Sequence, residues 1–136
     1  MKYIDLGLPS GNLWAEENEE GYFAFDDATE KFGDSLPTID EWKELQENCA
    51  WKWDDERKGM IVKGFNGNSI FLPASGYRYD TSLFDAGSDG YYWSSSLRED
   101  RSDYARSVYF YSVGVYRDLY GRCDGFSVRT IKKQHR

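Results

Sequence analysis

The stretch RSVYFYSVGVYRDLYGRCDGFSVR, residues 106–129, decides how the rest of the chain is read. Tyr109, Tyr111, Tyr116 and Tyr120 stand among Val, Ser, Arg and Asp, with Tyr104 just ahead of them. Val108 and Phe110 alternate with Ser107, Tyr109 and Tyr111, which predicts a strand sending two apolar residues inward and the tyrosines outward. The closing GFSVR alternates Phe126 and Val128 with small or polar neighbours and predicts a half-buried strand. A row of outward tyrosines has two readings. One is cross-strand aromatic pairing, which stabilises a sheet by roughly 0.2–1 kcal/mol per pair. The other is a binding surface, where Tyr supplies rigid contact area and Ser, Gly and Asp supply adaptable hydrogen bonds.

Outward from that stretch, 136 residues make one domain's worth of chain, and an aromatic content of 18% furnishes its core. A formal charge of −7 argues against a nucleic-acid backbone or an anionic membrane as partner, since both call for a basic patch. The opening MKYIDLGLPSG lacks the apolar run of a signal peptide, and no stretch approaches the ~20 apolar residues of a membrane span. Cys49 and Cys123 are too few for a disulfide scaffold and unlike the paired ligands of a structural zinc site. His135, in the charged tail KKQHR, reads as a solvated end rather than a catalytic base.

From the start, Tyr3 to Leu6 predicts a short strand, with Gly7, Pro9 and Gly11 punctuating the turn before Trp14. YFAFDDATEKFG predicts a short helix with Asp26 or Asp27 near its start and Gly33 past its end. In LPTIDEWKELQENC, Thr38 as N-cap and Glu41 three residues on form a capping box, and Trp42 and Leu45 share a face. WKW, GMIVKGF and IFLPASGYR predict strands, the last two joined by a hairpin at Asn66-Gly67. SGYRYDTSLFDAGSDG is expected as a loop, YYWSSS as a core strand on Trp93, and LREDRSDYA as a second surface loop. Trp14, Trp42 and Trp93 belong to the expected core. Two helices early and short strands late predict an α+β domain rather than an alternating α/β fold.

YIDLGLPSGNLWA, LPTIDEWKEL, NGNSIFLPASGYR, GYYWSSS and GFSVR, in that order, resemble the Bacteroidetes-type domain related to Fibrobacter paralogous proteins. LPTIDEW with a late GF-containing strand also resembles the formylglycine-generating-enzyme branch of the same fold. The resemblance spans nearly the whole chain and implies a C-type lectin-like fold, with two helices packed on short antiparallel sheets and the N- and C-terminal strands close together. Some members are variable proteins of diversity-generating retroelements, in which template adenines are rewritten. On that pattern residues 1–103 form a scaffold, 104–124 a variable face and 125–131 a closing core strand. The implied ligand-binding positions are Tyr104, Arg106, Tyr109, Tyr111, Val113, Tyr116, Asp118, Leu119, Tyr120, Cys123 and Asp124. The implied partner is a protein or glycan on another cell or virion surface, reached through export or fusion sequence outside this chain.

Changing only the adenines of AAC or AAT never yields Lys, Glu, Gln, Met or Trp, and none of these occurs in residues 100–129. Strand propensity also depletes Lys and Glu, so the same absence has a structural reading.

Enzymatic chemistry has little to build on. The formylglycine-generating branch uses reactive cysteines near the C-terminal core, where only Cys123 lies. The Ca²⁺-binding strings EPN and WND of sugar-binding lectins are absent; GSDG at residues 87–90 reads as a plain turn or, less simply, as an ion loop. With one tail histidine no Ser-His-Asp set can form, and no Walker-type loop is present. The expectation is a ligand-binding module with no catalytic residue, metal or cofactor. Its rivals are an oxidase relative of the formylglycine-generating type and a fixed cell-surface domain. On the binding reading Tyr109, Tyr111, Tyr116 and Tyr120 are anchors, supported from beneath by Val108, Phe110, Phe126 and Val128.

Overall fold

The computed structural model describes residues 1–98, 101–122 and 124–133. Cys123 and His135, both singled out above, lie outside the described residues. In chain order the elements are β1 (Tyr3–Asp5), β2 (Leu13–Ala15), α1 (Phe25–Phe32), α2 (Ile39–Asn48), β3 (Cys49–Asp54), β4 (Gly59–Gly64) and β5 (Ser69–Pro73). They continue with β6 (Tyr77–Tyr79), β7 (Ser82–Phe84), β8 (Gly90–Arg98), β9 (Arg101–Tyr111), β10 (Gly114–Gly121) and β11 (Ile131–Lys132).

α2 begins at a local signal, and both helices end at one. The Thr38 hydroxyl accepts from the Glu41 amide at 3.1 Å and the Glu41 carboxylate accepts from the Thr38 amide at 2.9 Å, closing the capping box that starts α2. Asp40 and Glu41 face the positive end of the helix dipole, and the helix stops where Cys49 turns extended to open β3. α1 has no side-chain cap and only 8 residues, so its stability comes from Phe25 and Ala28, which are buried; Gly33 ends it at φ 51, a left-handed value glycine adopts without strain.

The expectation of an α+β, C-type lectin-like domain with two helices packed on short antiparallel sheets is overturned. The chain is mostly β, its two α-helices are short, and its strands fall into four small separate sheets ordered β1-β2-β11, β3-β4-β5, β10-β9-β8 and β6-β7. The main cause is two stretches whose polarity predicts loops. Within SGYRYDTSLFDAGSDG, β6 and β7 pair Tyr77 with Phe84 and Tyr79 with Ser82. Around LREDRSDYA, β8 and β9 continue as an irregular antiparallel pair, with Leu97 opposite Ala105 and Arg98 opposite Arg101 and a register shift on either side of Leu97. At the paired positions cross-strand hydrogen bonding takes up the backbone groups, whatever the polarity of the side chains.

The β8-β9-β10 sheet lies between two apolar clusters. Tyr92, Val108 and Phe110 point to the first, with Trp14, Trp42 and Leu72. Tyr91, Trp93 and Ala105 point to the second, with Phe25, Phe126 and Val128. The outward face predicted for Ser107, Tyr109 and Tyr111 is therefore only partly outward: Ser107 is buried and Tyr109 packs on the second cluster. The three core tryptophans are buried, and Trp93 carries both clusters' contacts. Its ring stacks 4.2 Å from that of Phe126, its indole N–H donates to the Phe23 carbonyl at 2.6 Å, and its carbonyl accepts from Trp42 at 3.2 Å.

GFSVR also departs from its half-buried expectation, because residues 126–130 are buried on both sides. Phe126 exchanges backbone hydrogen bonds with Phe23, and Ser127 donates to Tyr91 while accepting from Trp93. Arg129 is enclosed: Nε donates to Asn18 Oδ1 at 2.8 Å, Nη1 to the Ala15 carbonyl at 2.9 Å and Nη2 to the Phe71 carbonyl at 2.6 Å. One guanidinium thereby ties the C-terminal segment to β2 and β5, and burial pulls its pKa down.

Candidate functional site

The β9–β10 hairpin builds the site. Its register sets Tyr116 opposite Tyr109, Gly114 opposite Tyr111, Asp118 opposite Ser107 and Tyr120 opposite Ala105. Residues directly opposite in an antiparallel pair share a face. Tyr109, Tyr111, Tyr116, Asp118 and Tyr120 therefore stand together on the side of the second cluster.

The same register puts Tyr104, Arg106 and Leu119 on the other face, since Leu119 pairs with Arg106 and Gly121 with Tyr104. Val113 stands at the turn between the strands, 76% exposed. Asp124 follows a turn in which its amide donates to the Gly121 carbonyl, and its carboxylate comes round beside Tyr120. Of the positions implied above, one group thus converges on a face, a second lies behind it, and Cys123 is not described.

Three rings form a stack on that face. Tyr109 lies 5.8 Å from Tyr111 and 6.1 Å from Tyr116, and Tyr111 lies 6.0 Å from Tyr116, with interplanar angles of 28°, 25° and 17°. Tyr116 is 46% exposed, so the stack is solvated at its outer edge. At its inner edge Tyr109 meets Tyr91 at 4.9 Å and donates its hydroxyl to the Asp89 carboxylate at 2.6 Å. That bond to Asp89 first, then burial, pushes the Tyr109 hydroxyl far above its ordinary pKa. The neighbouring Tyr116 hydroxyl raises the Tyr111 pKa as well.

Beside the stack opens a cavity of about 210 Å³ lined by Tyr77, Tyr79, Tyr91, Tyr120, Asp124 and Phe126. Tyr77, Tyr79 and Tyr91 are residues that the sequence reading leaves out of the site. Tyr77 and Tyr79 arrive on the β6 strand, which is held by Arg78 and Gly125 exchanging backbone hydrogen bonds at 2.7 and 2.8 Å. Tyr77 packs edge-on to Tyr91 at 4.8 Å and face-on to Phe84 at 5.3 Å. Tyr120 closes the other wall, 5.3 Å from Phe126 and 5.7 Å from Tyr91. A sequence signal for β6 was available: Tyr-Arg-Tyr and Ser-Leu-Phe flank a short polar link, the pattern of a tight hairpin.

The electrostatics of this region have one sign. Tyr91 donates to Asp85 at 2.9 Å; burial, then that bond, drive its pKa far up. The Tyr120 hydroxyl is pushed up to about 12 by burial, with Asp118 and Asp89 adding to it. Asp85 and Asp124 act on Tyr77 in the same direction, after burial. Burial alone raises the Asp124 pKa, and its carboxylate has no hydrogen-bond donor among the described residues.

No comparable cluster exists for metal chemistry: among the described residues no three His, Cys, Asp or Glu side chains gather to hold an ion. Cys49 is a free, half-buried thiol whose pKa burial and Glu44 raise to about 11, which keeps it protonated and a weak nucleophile. Among the described residues no helix is long and apolar enough to cross a membrane.

One family model, a domain of unknown function designated DUF8237, matches residues 44–131, more than half of the chain. The chain belongs to the DUF8237 family. The DUF8237 match runs from within α2 to β11, and so takes in the tyrosine stack, the cavity and Arg129. No curated protein and no solved structure matches the chain.

Proposed function

We propose that the protein is a ligand-binding module, whose working surface is the tyrosine stack of the β9–β10 hairpin together with the aromatic cavity beside it. The observation that carries this reading is the continuity of the two. Near-parallel rings of Tyr116, Tyr111 and Tyr109 lead from solvent to Tyr91, and Tyr91 lines the cavity. Aromatic anchors beside a pocket, rimmed by polar groups, are the usual composition of a recognition hot spot. Cross-strand pairing accounts for Tyr109 against Tyr116 but not for an adjoining cavity whose carboxylate has no partner among the described residues.

The hairpin side of this surface, with Tyr120 and Asp124 of the cavity wall, also falls in the region that the retroelement resemblance makes variable. Lys, Glu, Gln, Met and Trp are missing from residues 100–129, which supports a face rewritten at template adenines. On this proposal buried Phe110, Phe126 and Val128 stay constant while exposed hairpin positions change, and the partner is a protein or glycan on another cell or virion surface.

Selection from a displayed peptide library and probing of a glycan array, each with wild-type protein and with Tyr111→Ser/Tyr116→Ser, test the reading. Ligands should be recovered on the wild type and lost on the double variant. Identical profiles for the two proteins would remove the tyrosine stack from the site.

A further inference from the structure

We propose that the aromatic cavity is the seat of a single arginine side chain from a protein ligand, with its guanidinium against the rings of Tyr77 and Tyr120 and bonded to the Asp124 carboxylate. The inference rests on the ligand-binding reading above and names what that surface takes. Three independent properties of the cavity lead to it.

The first is size. At about 210 Å³ the cavity falls below the ~300–1,000 Å³ of sites for whole small molecules, which leaves room for one inserted side chain. The second is its wall, five aromatic rings contributed by Tyr77, Tyr79, Tyr91, Tyr120 and Phe126. Ring faces attract a cation through their quadrupole, and a planar, weakly hydrated guanidinium stacks on them better than an ammonium does.

The third is charge. Asp124 is the carboxylate in the wall and has no donor among the described residues, while Asp85, Asp89 and Asp118 act on the surrounding tyrosines with the same sign. The neighbouring arginines are committed elsewhere. Arg78 lies over Tyr22 at 5.2 Å, Arg122 pairs with Asp26 and lies over Phe25 at 5.2 Å, and Arg106 and Arg117 belong to the other face of the hairpin. An incoming cation would offset the unfavourable burial of Asp124. A sugar is a poorer fit, because it needs several directional partners and the Tyr91 hydroxyl in the cavity wall is already given to Asp85.

The test is a titration of the whole protein, followed through the tyrosine ring resonances, with N-acetyl-arginine methylamide, its neutral isostere N-acetyl-citrulline methylamide, and methyl glucoside. The arginine amide should shift Tyr77, Tyr79 and Tyr120 at millimolar concentration and citrulline should not. Asp124→Asn should weaken the arginine amide roughly tenfold, the scale of one charge-assisted hydrogen bond. Equal binding of citrulline, insensitivity to Asp124→Asn, preference for the glucoside, or no response to the arginine amide would each overturn the inference. Library-selected ligands separate this failure from a wider one. If they still lose affinity on Tyr111→Ser/Tyr116→Ser, only the arginine assignment falls; if neither the library nor the glycan array yields a ligand, the binding reading falls too.

Discussion

Tyr116 lies across Gly114, so closely that a β-carbon built on Gly114 would come within 2.4 Å of the Tyr116 hydroxyl oxygen. Gly114 faces Tyr111 across the hairpin, and the missing side chain is what lets the Tyr116 ring fold over toward Tyr111. The obstructing atoms belong to the exposed end of a side chain, which can swing away. Gly114→Ala is therefore expected to cost less than about 1 kcal/mol in denaturant unfolding. It should nevertheless weaken selected ligands by more than it weakens the fold. A melt that collapses with the substitution would show that the ring stack is structural.

The tyrosines of this face should divide by depth. Tyr111→Ser and Tyr116→Ser are expected to change unfolding free energy by no more than about 1 kcal/mol each, as exposed cross-strand pairs do. Phe126→Ala should cost about 3–5 kcal/mol, because its ring is stacked on Trp93 in the second cluster. Tyr120, packed on Phe126, and Tyr109, bonded to Asp89, should fall between. Equal losses at Tyr116 and Phe126 in urea titrations would contradict the division.

Legibility in the sequence followed how local each determinant is. The capping box at Thr38 and Glu41, the glycine end of α1 and the Asn66-Gly67 hairpin depend on residues a few places apart, and each stands where the local pattern puts it. The layering did not follow, because the same alternation along β9 serves a strand with one wet face and a strand between two clusters. Nothing near Ser107 announces that it is buried. The cavity was illegible for a related reason: Tyr77 and Tyr120 line one cavity through the pairing of Arg78 with Gly125, forty-odd positions away.

Arg129 is a further case, since a charged residue at the end of GFSVR looks like a strand leaving the core. Its guanidinium instead serves three acceptors, the buried Ala15 carbonyl and the partly buried Asn18 side chain and Phe71 carbonyl. Arg129→Met would leave them without a donor, at about 1–3 kcal/mol for each acceptor that water cannot reach. The expected loss is about 3 kcal/mol or more by chemical denaturation, with Arg129→Lys recovering only part, since an ammonium cannot span the same fork. A loss below about 1 kcal/mol would show that the three acceptors find water.

Acid should weaken the arginine site from the Asp124 side. Burial places its folded-state pKa above the ordinary carboxylate value of ~3.9. As pH falls through that raised value the carboxylate is neutralised, so affinity for the arginine amide should decline on acidification, and the decline should be absent in Asp124→Asn. The sign for stability is opposite. The unliganded fold holds the Asp124 proton more firmly than the unfolded chain does, so this group lowers stability as pH rises through the same window. Asp124→Asn is expected to leave the neutral-pH melting temperature unchanged or higher while weakening the arginine amide. A lower melting temperature would make Asp124 a structural residue.

The coding DNA tests diversification independently of any ligand, because rewriting the adenines of AAC or AAT leaves the third base as C or T. Tyr, Asp and Cys codons end in a pyrimidine in any gene, so Val113, Gly114 and Leu119 carry the information. Their places in the hairpin make them three separate questions. Val113 projects from the turn at 76% exposure, Gly114 lies under Tyr116, and Leu119 pairs with Arg106 on the face away from the tyrosines. Diversification of the ligand face alone predicts pyrimidine endings at Val113 and Gly114, and diversification of the whole hairpin predicts CTC or CTT at Leu119 as well. A nearby repeat matching this region except at adenines should accompany either pattern. A purine at Leu119 alone would confine variation to the tyrosine side. Purines at all three, with no such repeat in the flanking DNA, would leave a fixed binding domain whose tyrosines are set by the gene.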